Sequence, residues 1–201
     1  MQSVSKDTFG PLIAYLVPGA VALLGLSPFI PAVKTWFAAT PGDAPTIGGF
    51  LYLTVASLAV GMTVSAIRWA IVDSIHARTG LTPPPLDFSR LGSNVEAMEL
   101  LIEIHYRHYL FFANMLIASA IAWIGYRTRN GWSQPFGVID LVFLVLEPIF
   151  LAASRDTLRR YYFRCAQVFP TQARTSSTRA PVARRTQTAS SRTRPVRSAT
   201  E

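Results

Sequence analysis

Residues 109–126 of the chain read YLFFANMLIASAIAWIGY and contain no charged side chain. A helix rises about 1.5 Å per residue, so about 20 apolar residues are enough to cross a hydrocarbon core of roughly 30 Å. Comparable apolar segments lie at residues 9–30, 47–67 and 136–153. We therefore predict an all-α, polytopic membrane protein with four transmembrane helices.

The composition of the whole chain agrees with this prediction. Of its 201 residues, 50% are hydrophobic and only 15% are charged, although the C-terminal end is strongly polar. Tryptophan prefers the interface between lipid and water, and all four tryptophans lie at or near the ends of the apolar segments: Trp36, Trp69, Trp123 and Trp132. The one cysteine, Cys165, can form neither an internal disulfide nor a thiolate metal site.

The distribution of lysine and arginine predicts the orientation of the helices. Basic residues that lie beside a transmembrane segment favour the cytoplasmic side. Arg68 and Arg107 flank the loop at residues 73–108, and four arginines directly follow the fourth segment: Arg155, Arg159, Arg160 and Arg164. We therefore expect a multi-pass protein of the cell (inner) membrane with both termini in the cytoplasm. The alternative is that the first segment is a signal peptide, cleaved near Phe37.

The chain is predicted to divide into a transmembrane domain at residues 1–169 and a basic tail at residues 170–201. The tail is rich in arginine, serine and threonine and has too little apolar content to fold, so we predict that it is disordered. A basic segment beside a bilayer associates with anionic lipid headgroups. Because the tail lacks interleaved aromatic residues, no specific binding of nucleic acid is expected.

Three strongly polar side chains are predicted to lie at membrane depth: Asn114, Asp140 and Glu147. Asp140 falls in the first turn of the fourth helix, where the helix dipole favours its anion. Glu147 lies deeper in the hydrocarbon span, where an ionisable group costs about 2.5–3.5 kcal/mol on insertion scales. It directly precedes Pro148, which leaves the carbonyl of Leu144 without its helical partner.

Two kinds of role are open for Glu147. In the structural role, a protonated Glu147 donates to the carbonyl of Leu144, or it bonds Asn114 or a small hydroxyl of the second helix. In the functional role, Glu147 is the titrating group of a small ion channel or proton-coupled carrier, and Asp140 and Asn114 line its path.

Ser57, Gly61 and Ser65 repeat at four-residue intervals on one face of the second helix. Small side chains let two helices approach closely in lipid. This face is therefore predicted to be a helix-packing surface. It packs either against another helix of the same chain or against a second copy in a homo-oligomer.

The third and fourth helices are both predicted to extend into the cytoplasm. Ser93 and Glu96 fit a capping box, so a helix should begin at Asn94 and continue into the third transmembrane segment. One extension carries an acidic stripe and the other a basic stripe: Glu96, Glu99 and Glu103, and Arg155, Arg159, Arg160 and Arg164. We expect the stripes to pair in a small helical collar. The alternative is that both stay solvated, since exposed ion pairs contribute only about 0–1 kcal/mol.

The sequence carries no nucleophile elbow, phosphate-binding loop or dinucleotide fingerprint. His105 and His108 are the only close pair of histidines, and Glu103 lies on a different part of the helix, so neither a metal site nor a cofactor is predicted. The sequence therefore favours a noncatalytic membrane scaffold or effector that assembles or recruits a cytoplasmic protein partner. The alternative function is the channel or carrier that uses Glu147.

Overall fold

The computed structural model describes residues 6–37 and 47–170, and this part of the chain is helical. Seven α-helices and three short helical turns follow in chain order: α1 (Lys6–Leu26), α2 (Pro31–Phe37), α3 (Ile47–Arg68), a π turn (Trp69–Asp73), α4 (Ser74–Arg78), a 3₁₀ turn (Phe88–Ser93), α5 (Val95–Leu101), a second π turn (Ile102–Tyr106), α6 (Arg107–Asn130) and α7 (Val138–Val168). The predicted all-α class is confirmed for these residues. The predicted tail lies outside them, apart from Pro170.

Two composite helices in the described part of the chain are long and apolar enough to cross a membrane. One runs through α3, the first π turn and α4, over Gly48–Arg78, and the other runs through α5, the second π turn and α6, over Val95–Asn130. A third span is formed only if α1 is taken together with α2, because the chain bends by 115° between Leu12–Leu26 and Pro31–Phe37. These helices are compatible with a membrane protein, but four spans are not shown.

The helix boundaries differ from the predicted ones at two places, and they agree at a third. The first helix ends at Leu26 rather than at residue 30, because Pro28 and Pro31 cannot continue its hydrogen-bond ladder. The helix that enters the third apolar segment begins at Val95 and continues to Asn130, where Gly131 adopts a positive φ of 92°. The fourth helix does run on past its apolar part as predicted, and α7 ends only at Val168.

Glycines at the centre of the bundle let the backbones of neighbouring helices approach each other closely. A Cβ atom added to Gly19 would lie 1.7 Å from the carbonyl oxygen of Ser57 in α3, and one added to Gly125 would lie 1.9 Å from that of Gly25. Backbone therefore packs directly on backbone, and α1 lies between α3 and α6. Ala14 contacts Asn114 and Gly25 contacts Gly125, so α1 and α6 run in the same direction.

The last helix, α7, lies at the edge of the bundle and packs mainly on α6, to which it runs antiparallel. Its first turn contacts the end of α6, where Trp123 bonds Asp140. Its last turns lie beside the loop after α4, where Leu86 forms an isolated β-bridge with Pro170. The opposite face of α7 exposes a row of large aliphatic side chains, including Val138, Leu141, Val142, Leu144, Val145 and Ile149.

Candidate functional site

A buried polar cluster joins α6 to the first π turn. The Arg68 guanidinium donates to Asp73 Oδ1 at 2.9 Å and lies 2.8 Å from the hydroxyl of Tyr109 on α6. The Tyr109 hydroxyl in turn donates to the same oxygen of Asp73. Arg68 and Tyr109 are buried, so the cationic charge of Arg68 is neutralised inside the protein rather than by water.

The cluster continues to α7 through a histidine. His76 Nε2 lies 3.1 Å from Ser154 Oγ, and both side chains are buried. At the next position of α7, the guanidinium of Arg155 donates hydrogen bonds to the hydroxyl and to the carbonyl oxygen of Thr79. We call the five residues that tie these helices together the polar latch: Arg68, Asp73, His76, Tyr109 and Ser154.

The first π turn explains why Arg68 and Asp73 can meet. In a regular α-helix, residues five apart point about 140° away from each other, because each residue turns the helix by about 100°. A π turn inserts an extra residue per turn and lets residues five apart share a face. Trp69–Asp73 forms such a turn, and the Arg68–Asp73 ion pair closes across it.

The contact between Ser154 and His76 has the distance of a nucleophile–base pair, but its surroundings are those of a structural contact. Ser154 is 0% exposed and His76 is 1% exposed, so no substrate carbonyl can reach the hydroxyl in this conformation. The Ser154 hydroxyl also donates to the carbonyl of Leu151 at 2.9 Å, a common arrangement within helices. The cluster therefore links neighbouring helices to one another.

The predicted intramembrane residues fall into two separate environments. Asp140 and Glu147 line one cleft of about 330 Å³ between α6 and α7, whose other lining residues are Ala120, Trp123, Phe136, Phe143 and Leu144. Asn114 does not belong to this cleft. It is fully buried on another side of α6 and donates to the carbonyl of Ala14 at 3.0 Å.

Glu147 is hydrogen-bonded to a residue that was not among its predicted partners. The Ser119 hydroxyl of α6 lies 2.8 Å from Glu147 Oε1 and 2.6 Å from the carbonyl of Met115. One hydroxyl proton cannot serve both acceptors at once, whereas a protonated Glu147 could donate to Ser119 and leave that proton for Met115. The partner is thus a hydroxyl of the third apolar segment, rather than Asn114, Leu144 or the second helix.

Asp140 is held in place by three neighbours at the start of α7. It accepts hydrogen bonds from the Trp123 indole at 3.0 Å and from the backbone N–H of Gly137 at 2.9 Å, and Arg127 lies 3.4 Å away. The contact with Gly137 has the geometry of a helix cap, as expected for a carboxylate in the first turn. Asp140 is therefore a fixed structural anion at the mouth of the cleft.

The stripe of small residues on α3 packs inside the chain. Ser57 and Gly61 are buried against α1, and a Cβ atom on Gly61 would lie 2.0 Å from the carbonyl oxygen of Tyr15. Ser65 continues the stripe and is half-buried. Because α1 already fills this face, it is not free to pack against a second copy of the chain in this fold.

The two predicted cytoplasmic extensions do lie side by side, but through aromatic rings. The ring centroids of Tyr106 and Tyr161 are 5.2 Å apart, and those of Phe88 and Phe169 are 6.3 Å apart. Phe169 is completely buried, so the loop at residues 79–94 is fastened to the end of α7. We call this end of the molecule, residues 79–106 with residues 155–170, the cap.

The expected pairing of the acidic and basic stripes is not formed. Within residues 6–37 and 47–170, the ion pairs of the cap stay in one helix: Glu103 with Arg107 at 3.5 Å, and Asp156 with Arg160 at 2.9 Å. Glu96, Glu99, Arg155, Arg159 and Arg164 take part in no ion pair there. The tyrosines occupy the contact between the helices and leave these charges facing water, where pairing contributes little.

The start of α5 also departs from the predicted capping box. The residue that precedes the helix is Asn94, and its side chain makes no capping hydrogen bond. Glu96 therefore stands at the second helical position, where it cannot reach back to the backbone of Ser93 as a capping box requires.

One surface of the cap combines acidic and aliphatic side chains. Val95, Leu100 and Ile104 are each about half exposed, at 46%, 54% and 48%. Three glutamates are interspersed with them along the same stretch of the helix, Glu96, Glu99 and Glu103. We call these six residues the cap face.

Comparison of the chain with protein-family models, with curated proteins and with solved structures found no match.

Sequence reasoning missed the polar latch. In the sequence, Arg68 indicates only the orientation of the helices, and Tyr109 stands at the edge of an apolar segment. One signal was available, because Arg68 and Asp73 bracket an apolar stretch that shows no turn residue. Charged residues at such positions are costly to bury unless they are paired.

Proposed function

We propose that the chain is a noncatalytic membrane scaffold whose cap face binds a basic, amphipathic segment of a cytoplasmic protein. The single observation that supports this proposal is the composition of the cap face, in which three half-exposed aliphatic residues lie among three glutamates. Exposed aliphatic surface favours burial by a partner, and the carboxylates of Glu96 and Glu99, which form no ion pair with a described residue, favour a partner that carries lysine or arginine.

The length of the composite helix supports a position of this surface outside the bilayer. Val95–Asn130 contains 36 residues and is about 54 Å long, well beyond the roughly 30 Å of a hydrocarbon core. With the uncharged residues 109–126 in the membrane, the first turns of the helix extend beyond it. The cap face lies on those turns.

The antiparallel packing of α7 on α6 supports four membrane crossings. Asp140 at the start of α7 contacts Trp123 and Arg127 near the end of α6, and Tyr161 contacts Tyr106 near its start. A membrane that surrounds α6 must therefore also surround most of α7. Four crossings place both termini on the same side, which the positive-inside rule makes the cytoplasm.

The channel or carrier remains the second candidate, supported by the cleft that Asp140 and Glu147 share. Its support is weaker, because Asp140 is neutralised by Arg127 and Asn114 lies on another side of α6. Ion and proton flux in liposomes separates the two candidates. A carrier loses its flux in Glu147→Gln, whereas a scaffold gives no flux with either protein.

Site-specific photocrosslinking in the native membrane tests the scaffold directly. A photoreactive residue in place of Leu100 should give a discrete protein adduct, and the double change Glu96→Lys with Glu99→Lys should remove it. The matched control position is Val142, which is equally exposed but lies on the apolar outer face of α7. An equal yield of adducts at both positions, or none at Leu100, would contradict the proposal.

A further inference from the structure

Two cations line a cleft at the end of the bundle opposite the cap. The cleft has a volume of about 270 Å³, and it is bordered by the turn after α1, by α2 and by the end of α6: Ser27, Pro28, Phe29, Lys34, Thr128 and Arg129. Neither Lys34 nor Arg129 forms an ion pair with a residue that the structure describes, whereas the neighbouring Arg127 is paired with Asp140. The cleft therefore has a net positive charge.

An apolar groove continues directly from this cleft along the bundle. Ser27, Pro28 and Arg129 line both, and the groove has a similar volume of about 270 Å³. Its floor is made by α6, and its walls are made by α1 and α7: Ala122, Gly125 and Tyr126 below, and Leu24, Ile139 and Phe143 at the sides. The groove is deep over α6 because Ala122 and Gly125 have little or no side chain to fill it.

The position of the two sites along the helices matches the layers of a bilayer. The cleft lies where α1 and α6 end, at Leu26 and Asn130, and half-exposed tryptophans stand at the same end, Trp36 and Trp132. Tryptophan prefers the level of the headgroups. The groove extends from that level toward the hydrocarbon core.

We propose that the cleft and the groove together bind an anionic phospholipid, with its phosphate between Lys34 and Arg129 and one acyl chain in the groove. Two cations at headgroup depth, neither of them paired with a described residue, select negative charge, and the adjoining apolar groove selects an acyl chain over a small soluble anion. This site is independent of the partner surface on the cap.

Native mass spectrometry of the purified full-length protein tests the proposal. The protein in detergent is given equal amounts of phosphatidylglycerol and phosphatidylcholine, and the retained lipid is counted. We expect preferential retention of phosphatidylglycerol. Each of the changes Lys34→Gln and Arg129→Gln should weaken the binding of phosphatidylglycerol about fivefold, since a basic residue at a membrane surface contributes about that factor to lipid binding.

The matched control removes two exposed, unpaired cations from the opposite end, in the double change Arg78→Gln with Arg159→Gln. It has the same net charge as the Lys34→Gln, Arg129→Gln double variant, and it should retain the phosphatidylglycerol preference. An equal loss in both double variants would overturn the proposal, because it would show attraction by overall charge alone. All four positions are exposed, so folding should be preserved, and circular dichroism checks it.

A second variant tests the acyl-chain part of the site. Leu24→Trp fills the groove and leaves both cations in place, so it should reduce the retention of phosphatidylglycerol. Stabilisation against heat by inorganic phosphate, equal to that given by the phospholipid, would overturn the proposal in favour of a simple anion site.

Discussion

At the scale of single residues, glycines allow close contacts between the backbones of neighbouring helices. Gly25 and Gly125 allow α1 and α6 to touch through their backbones, and Gly19 and Gly61 do the same for α1 and α3. In lipid, where apolar side chains gain nothing by leaving the solvent, such close packing is a main source of helix association. The stability of the bundle should therefore depend on these glycines.

Gly125→Ala should lower the stability of the bundle. The added Cβ atom would lie 1.9 Å from the carbonyl oxygen of Gly25, so the two helices must separate. Overpacking of this kind costs about 1–3 kcal/mol. Thermal unfolding in detergent, followed by circular dichroism, should show a lower midpoint. Gly48→Ala is the control, because nothing lies within 4 Å of its added Cβ atom, and an equal loss in both variants would contradict this account.

Tyr109→Phe should also destabilise the protein. It removes the hydroxyl that contacts both Arg68 and Asp73 in the polar latch, while the ring and its packing remain. Arg68 and Asp73 keep each other as partners, but a lost hydrogen bond to a charged group still costs about 1.5–3 kcal/mol. The same unfolding measurement applies, with Tyr52→Phe as the control because Tyr52 is 68% exposed. Unchanged stability in Tyr109→Phe would show that the latch contributes nothing.

At the scale of the helices, sequence reasoning succeeded where periodicity and hydropathy determine the answer. The apolar segments became helices, and the helix through residues 95–130 is continuous because it contains no proline and its only glycine, Gly125, is accommodated by packing. The two π turns could not be foreseen, because one extra residue in a helical turn changes neither composition nor hydropathy. The latch was missed for that reason, since it depends on the changed register.

The partners of polar residues were equally hard to foresee. The position of Glu147 in an apolar segment predicts that its side chain needs a hydrogen bond. The rotation of α7 relative to α6, which brings Ser119 next to Glu147, cannot be predicted from the sequence. The expected charge pairing in the cap failed for a related reason. Tyr106 and Tyr161 fill the contact between the two helices, and aromatic rings bury more area there than charged side chains can.

The only thiol of the chain, Cys165, lies within the cap and can report on how tightly the loop at residues 79–94 is held against the end of α7. Cys165 is completely buried, and burial raises the pKa of its thiol. The folded protein thus favours the protonated thiol. Its contribution to folding stability is present below the ordinary pKa of a thiol, and it is lost as the pH rises through the higher pKa of Cys165 in the folded protein. Maleimide should label native Cys165 slowly at neutral pH and faster as the pH increases.

Loosening the cap should expose this thiol. Phe169→Ala removes a fully buried ring that contacts Phe88, so it should speed the labelling of Cys165 at a fixed pH. The change Phe163→Ala provides the control, since that ring is already 62% exposed. Fast labelling of the unchanged protein would contradict a docked cap.

At the scale of the whole molecule, the packing predicts which surfaces share one side of the membrane. Thr82 in the cap loop and Gln167 near the end of α7 lie at one end of the bundle, and Gln134 in the α6–α7 connection lies at the other. Single cysteines at these three exposed positions, in a Cys165→Ser background, can be labelled from either side of intact membranes. Thr82→Cys and Gln167→Cys should react from the cytoplasm, and Gln134→Cys only from outside. Labelling of Gln134→Cys and Gln167→Cys from the same side would show that α7 does not cross.

The edge position of α7 has a consequence for how the protein is made. Translation delivers α1, α3 and α6 first, and the close glycine contacts join those three helices to one another without any part of α7. The last helix then docks mainly on the open side of α6, so it can add to the bundle without displacing a helix already in place. The bond between His76 and Ser154 is therefore expected to be the final link of the polar latch to close, because Ser154 is the last of the five latch residues in chain order.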